Sequence, residues 1–162
     1  MVDSLQFAKQ HSSVRCSVPV SGLRRLAQAV LDDEDELEVG LDGFEDSEGR
    51  PCLHLHVTGS MTVTCQRCLE PLVLGVALDR RFVLAEQEQD LGDLGEEADD
   101  VDSLLADSKL DLLALAEDEI LLQIPMAPMH EESKCTRPQW SSDAGREGSA
   151  FSVLGALTNT KD

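Results

Sequence analysis

At 162 residues the chain has room for one domain with tails, and its core must be built from Leu, Val and Ala, because apolar content is 41% while aromatics are 3% and Tyr is absent. A net charge of −19 works against a surface broadly committed to phosphate backbones, whose affinity comes from Lys and Arg. No apolar run approaches the ~20 residues of a membrane helix, and Phe7 and Ala8 are hemmed by Asp3, Lys9 and Gln10 with no signal-peptide core, so a soluble cytoplasmic protein is expected.

Residues 1–12 show weak periodicity and read as a short frayed element. Val14, Cys16 and Val18 alternate with polar residues up to Pro19, the pattern of a short edge strand. Leu23, Leu26, Ala27, Val30 and Leu31 recur at helical spacing and predict a helix from Ser21 to the acidic run that begins at Asp32. Leu37, Val39 and Leu41 predict a half-buried strand, and Ser47-Glu48-Gly49-Arg50-Pro51 supplies turn chemistry. Leu53, Leu55 and Val57 start the next strand, Gly59-Ser60 marks a bulge or break, and Met61 and Val63 resume the alternation. Leu72 to Leu84 keep one parity in a further strand.

From Arg81 to Lys109 no basic residue intervenes while acids crowd the sequence, so 86–107 is expected to be a flexible acidic loop. Ser108-Lys109-Leu110-Asp111 resembles a capping box before a helix whose stripe is Leu113, Ala116, Ile120 and Ile124, ended by Pro125. Residues 136–162 read as a flexible tail, with lone Trp140 and a short apolar helix over 150–157 built on Phe151, Val153, Leu154 and Leu157. The fold class expected is α+β: an antiparallel meander of about four strands covered by two helices, with a Cys-x-x-Cys turn and the acidic loop, all within a single domain over 1–135.

Five cysteines, an odd number, argue against a disulfide framework. Cys65-Gln66-Arg67-Cys68 sits at a strand reversal and puts two sulfurs on one side of a tight loop, which suits a shared metal ion or a redox pair. His130 and Cys135 follow the last helix as a second couple, so Cys65, Cys68, His130 and Cys135 form a candidate zinc set; the bland alternative is turn and core thiols beside a loose tail. A thioredoxin-like pair would need the strand–Cys-x-x-Cys–helix context, in which a helix N-terminus lowers the thiol pKa, and the sequence lacks it. His54 and His56 project to one face of a strand, as solvated polar residues or as ligands. Cys16 and Cys52 read as small core residues. His130-Glu131-Glu132 lacks the second His of a metalloprotease helix, and no Gly-rich phosphate loop is present.

These residues together resemble the YceD family, the large ribosomal RNA subunit accumulation proteins. The resemblance rests on Cys65-Gln66-Arg67-Cys68, on Asp111-Leu112-Leu113-Ala114-Leu115-Ala116-Glu117-Asp118-Glu119-Ile120-Leu121-Leu122, on Pro125 to His130, and on Cys135 and Phe151-Ser152-Val153-Leu154. It implies a non-enzymatic role in large-subunit biogenesis, with contact to precursor rRNA, to a basic ribosomal protein, or to both, and no membrane or small-molecule substrate. Some relatives carry a second cysteine cluster where this chain has His130 and Cys135, which favours zinc. On this reading the RNA contacts are Arg15, Arg24, Arg25, Arg67, Arg80 and Arg81, and the partner contacts are Glu117, Asp118, Phe151 and Leu154. The rival readings are a Cys-x-x-Cys thiol oxidoreductase and a zinc-dependent interaction module unrelated to ribosomes.

Overall fold

Strict alternation of apolar residues drives the longest strands, because every second side chain must leave water together. The structure, a computed structural model, describes residues 1–32, 34–91, 101–131 and 134–135. Strands β1 (Ser13–Pro19), β2 (Glu36–Glu45), β3 (Pro51–Thr64), β4 (Pro71–Ala85) and β5 (Val101–Leu105) form one sheet in the order β1-β2-β3-β4-β5. The first four are an antiparallel meander, as the alternation predicts. Helices α1 (Ser4–Lys9) and α2 (Leu112–Gln123) complete a mixed α+β architecture. Among the described residues no helix is long and apolar enough to cross a membrane.

Leu37, Val39 and Leu41 of β2, Leu53, Leu55 and Val57 of β3, and Val76 and Leu78 of β4 share one buried face with Leu112, Ala116 and Ile120 of α2. Asp46 closes the β2–β3 turn by accepting from the N–H groups of Glu48 and Arg50, both at 2.9 Å, while Gly49 takes the left-handed φ of 78°. Gly59 does not break β3, contrary to the expectation of a bulge or break. It stays in register between Leu37 and Val76 at φ 152°, and a Cβ there would come within 2.7 Å of Leu37.

Three expected elements differ. The helix over 21–31 is absent; Val20–Gly22 and Leu26–Gln28 are short 3₁₀ turns separated by Leu23 in an extended conformation. Its apolar spacing is used by the core all the same, since Leu23 and Leu26 are buried. The N–H groups of Arg25 and Leu26 go to the Glu117 carboxylate instead of starting a helix, so a tertiary contact overrides the local pattern. The first helix is α1, capped by Asp3 and tied to residues 107–110 by Val2, Ser4 and the Asp107 N–H. Its C-terminal end crosses Gly43 so closely that a Cβ there would lie 2.4 Å from the Phe7 carbonyl oxygen.

The sheet has five strands rather than about four. The fifth, Val101–Leu105, lies inside the stretch expected to be an acidic loop and pairs in parallel with Arg81–Ala85. Five residues flanked by acids carry too little local pattern to announce a strand, and β4 supplies the ladder that orders them. Residues 92–100 of that stretch, the tail 136–162 and with it Trp140, Phe151, Leu154 and the 150–157 segment lie outside the described residues. In α2 the cap is Asp111, accepting from Leu113 and Ala114 N–H, and the buried stripe is Leu112, Ala116 and Ile120, one register from the predicted one; Leu113 is exposed.

Candidate metal centre

β3 and β4 are joined by the turn Cys65–Glu70, which is closed by Cys65 N–H to the Glu70 carbonyl (3.0 Å) and Leu69 N–H to the Cys65 carbonyl (2.9 Å). Leu69 takes a left-handed φ of 65°, which lets the chain reverse within so few residues. The second couple arrives because Pro125 stops α2 and Pro128 turns the chain back; the Pro128 carbonyl accepts from Gln66 N–H at 2.8 Å. His130 and Cys135 thereby reach the turn, and one donor atom from each of Cys65, Cys68, His130 and Cys135 lies within 4.8 Å of all the others.

A tetrahedral ion with bonds of about 2.3 Å to sulfur and about 2.0–2.1 Å to nitrogen would space its ligands about 3.8 Å apart (S···S) and about 3.6 Å apart (S···N). Cys65 Sγ and Cys135 Sγ are 3.9 Å apart, and Cys68 Sγ is 3.4 Å from His130 Nδ1. His130 Nε2 is 3.0 Å from the Pro71 carbonyl oxygen, which can only accept, so the ring proton sits on Nε2 and the Nδ1 lone pair faces the sulfurs. Arg67, between the two cysteines of the turn, donates from Nε to Cys135 Sγ and from Nη2 to the His130 carbonyl, both at 3.0 Å. It fastens the second couple to the first.

The thiols are electrostatically unequal. Burial pushes the Cys65 thiol up, but the N–H groups of Cys68, His130 and Arg67 outweigh it and bring the thiol down to about 5. Cys68 moves the other way: a Glu70 N–H lowers it, while burial and the neighbouring Cys65 and Cys135 sulfurs prevail and raise it. Close sulfurs resist ionising together, and a divalent cation among them removes that conflict. The Cys-x-x-Cys turn joins two strands instead of preceding a helix, so it does not have the helix N-terminus that follows the turn in a thioredoxin-like pair. All five cysteines are free thiols; Cys52 is buried, with its thiol raised by that burial, and Cys16 is half-buried against the core.

The family model described as "Large ribosomal RNA subunit accumulation protein YceD" matches residues 53–157, a span that holds all four donors, the turn and α2. The chain belongs to the YceD family. Among curated proteins it is similar to the "Large ribosomal RNA subunit accumulation protein YceD" of Haemophilus influenzae, 24% identical over 134 residues that cover 83% of this chain and 76% of that protein. No solved structure matches.

Within this YceD-family domain the six arginines expected to meet RNA are not equivalent. Arg15, Arg24 and Arg81 are exposed. Arg25 is also exposed on its side chain but is engaged with Glu117 (2.9 Å) and Asp118. Arg80 faces Glu119 at 3.5 Å, and Arg67 is part of the cysteine cluster. Of the expected partner contacts, Asp118 is exposed, whereas Glu117 is 7% exposed and turned inward. Its Oε1 accepts from the N–H groups of Arg25 (2.6 Å) and Leu26 (3.1 Å), and its Oε2 from Arg25 Nε. Burial pushes this carboxyl up, yet those N–H groups and the guanidinium hold it below its ordinary value. Sequence reasoning missed this inward role, because an acid among acids on a helix reads as solvated surface; its place at i+5 from Leu112, next to Ala116 on the buried stripe, is the signal that was there. It also missed Arg67 as a fastener of ligands, for which the position between two cysteines was the available clue.

Proposed function

We propose that this chain is a non-enzymatic factor in large ribosomal subunit biogenesis that acts in the cytoplasm and supports accumulation of large-subunit rRNA. The observation that carries the reading is the family match over 53–157, together with the name borne by the Haemophilus influenzae relative, a large ribosomal RNA subunit accumulation protein. The partner is a basic ribosomal protein, met by the acidic body of a chain whose net charge is −19, with precursor rRNA touched locally through exposed Arg15, Arg24 and Arg81. Asp118, Phe151 and Leu154 are the candidate partner contacts. Neither a membrane nor a small-molecule substrate enters this role.

Zinc held by Cys65, Cys68, His130 and Cys135 pins the β3–β4 turn to the segment that follows α2. What supports this is the match of the sulfur and nitrogen spacings to a tetrahedral ion and the His130 tautomer fixed by Pro71. The role of such an ion is structural, since four protein donors leave no open position.

Capture of the full-length protein from cell lysate, with and without ribonuclease, tests the function. Retention of a ribosomal protein after ribonuclease is the expected result; loss of every ribosomal component in both arms overturns the reading. Metal analysis of protein purified under reducing conditions without chelator should give about one zinc per chain, and a metal-free protein with intact fold would remove the zinc assignment while leaving the capture result to stand. Efficient thiol–disulfide exchange by Cys65 and Cys68 would instead favour the oxidoreductase.

A further inference from the structure

The polar face of the sheet carries a second donor cluster, remote from the cysteines along β3. Antiparallel register sets two rows of residues across the strands: Ser13, Asp42, His54 and Arg81 in one, Arg15, Gly40, His56 and Asp79 in the next. One donor atom from each of Asp42, His54 and His56 lies within 4.8 Å of the other two. The two imidazoles have ring centroids 5.8 Å apart and are tilted by 51°, so they converge without stacking. His56 Nδ1 is 3.6 Å from Asp42 Oδ2, too long for a hydrogen bond.

Two of the three side chains are held by a neighbour that is not itself a donor in the cluster, and the third is seated over a glycine. His54 Nε2 lies 2.9 Å from Asp79 Oδ1, so a neutral ring carries its proton there and keeps Nδ1 unprotonated. Ser13 donates its hydroxyl to Asp42 Oδ1, which leaves Oδ2 turned towards His56. The His56 ring lies across Gly40: a Cβ at that position would sit 1.9 Å from Nε2 and 2.2 Å from Cε1. Glycine in mid-strand weakens the strand by entropy and packing, and here its lack of a side chain opens the seat that the imidazole occupies. A carboxylate behind one imidazole, a hydroxyl behind the carboxylate and a glycine beneath the other imidazole are the supports that orient ligands around an ion.

We propose that Asp42, His54 and His56 bind a divalent transition-metal ion with a preference for imidazole nitrogen, such as Zn²⁺, Co²⁺ or Ni²⁺. Two nitrogens and one oxygen exclude the hard, oxygen-coordinated Ca²⁺ and Mg²⁺ as favoured occupants. Three protein donors on a half-buried face leave coordination positions for water, unlike the closed four-donor arrangement at the cysteine turn. Arg81 at the end of one row, with Arg15 and Asp79 at the two ends of the other, completes the charged surroundings.

Co²⁺ titration of full-length protein, without an added histidine tag and under a phosphine reductant, tests the site independently of the cysteines. Cobalt bound by thiolates gives sulfur-to-metal charge-transfer absorption, whereas cobalt on nitrogen and oxygen gives only weak d–d bands. The expected result is an equivalent of bound Co²⁺ without charge transfer, accompanied by paramagnetic shifting or broadening of the His54 and His56 ring protons. His56→Gln should remove that equivalent and leave any charge-transfer bands in place. Gly40→Ala retains every donor and should weaken it by about 10- to 100-fold, as loss of ligand support does; if that variant fails to fold, Ser13→Ala makes the same comparison. Unperturbed His54 and His56 signals at excess Co²⁺, or undiminished binding in His56→Gln, overturns the proposal.

Discussion

The Glu117 clamp and the cysteine cluster both place acidic side chains away from solvent, and they neutralise them by different means. At the clamp one carboxylate meets two backbone N–H groups and a guanidinium, so its charge is matched within the protein. At the cluster three thiols and an imidazole converge, and Cys65 is drawn towards thiolate while Cys68 is driven away from it. The clamp is self-sufficient: it needs only α2 and the 3₁₀ turns to meet. The cluster is balanced when a cation joins it, and that difference predicts where each site is vulnerable.

The largest effect should come from metal removal. A strong chelator under reducing conditions should lower the unfolding midpoint by about 10 °C, the shift for an ion present at roughly a thousand times its dissociation constant in a domain of this size. Cys135→Ser should lower the midpoint by itself and make it insensitive to chelator. Thermal scans of both proteins, with and without chelator, make the comparison; equal midpoints in the wild type would mean that the cluster, like the clamp, is complete without an ion.

Glu117→Ala comes next. It leaves the Arg25 and Leu26 N–H groups without their acceptor next to a buried Leu26, and each unsatisfied group costs about 1–3 kcal/mol, so a loss of about 3 kcal/mol in urea unfolding is expected. Glu117→Gln keeps an acceptor oxygen and should lose less. The carboxyl is held below its ordinary 4.5 in the folded state, so its contribution is complete above about that pH and disappears as pH falls through the lower folded value. Wild-type stability should therefore drop on the acid side of 4.5, and Glu117→Gln should flatten that part of the curve. A Gln variant with the same acid limb would assign the limb to other carboxylates.

Arg67 separates the two sites more finely, since it fastens His130 and Cys135 to the turn without being a metal donor. Arg67→Met should reduce zinc affinity about 10-fold, the lower end of the range for second-layer contacts, measured by competition with a chromophoric chelator. Unchanged affinity would show that Pro125, Pro128 and the Gln66–Pro128 hydrogen bond suffice to position the second couple.

The two sites also differ in how far the sequence reveals them. Cys65, Cys68, His130 and Cys135 are identifiable because sulfur and imidazole at short spacing are rare, and the strand alternation on either side places the turn. The meander β1–β4 is legible for the same reason: period-two burial is a local signal. Glu117 is not legible, since its meaning lies in two N–H groups about ninety residues away that a helix at 21–31 would have consumed. β5 is hidden likewise, because its pairing partner, not its own five residues, makes it a strand. Asp42 joins His54 only through the register of β2 on β3, although the Asp46–Pro51 turn contained the information needed to align them.

The smallest structural effect should be that of Asp118, and it bears most directly on function. Asp118 shares Arg25 with Glu117, but both its side chain and that of Arg25 are more than half exposed, at 55% and 51%. An exposed ion pair contributes about 0–1 kcal/mol and is screened by salt, so Asp118→Asn should leave the urea midpoint nearly unchanged while Glu117→Ala shifts it strongly. With the fold thus intact, any loss of association with large-subunit precursors in Asp118→Asn would report recognition and not unfolding. A basic protein partner predicts weaker association, growing less distinct from wild type as salt rises. Arg24→Ala, on exposed surface and of the opposite sign, should instead weaken association that ribonuclease abolishes. Sucrose-gradient sedimentation of both variants across a salt series distinguishes these outcomes. Wild-type behaviour of both would leave neither charge as a recognition contact and transfer that role to Phe151 and Leu154, whose replacement by Ser is then the decisive comparison.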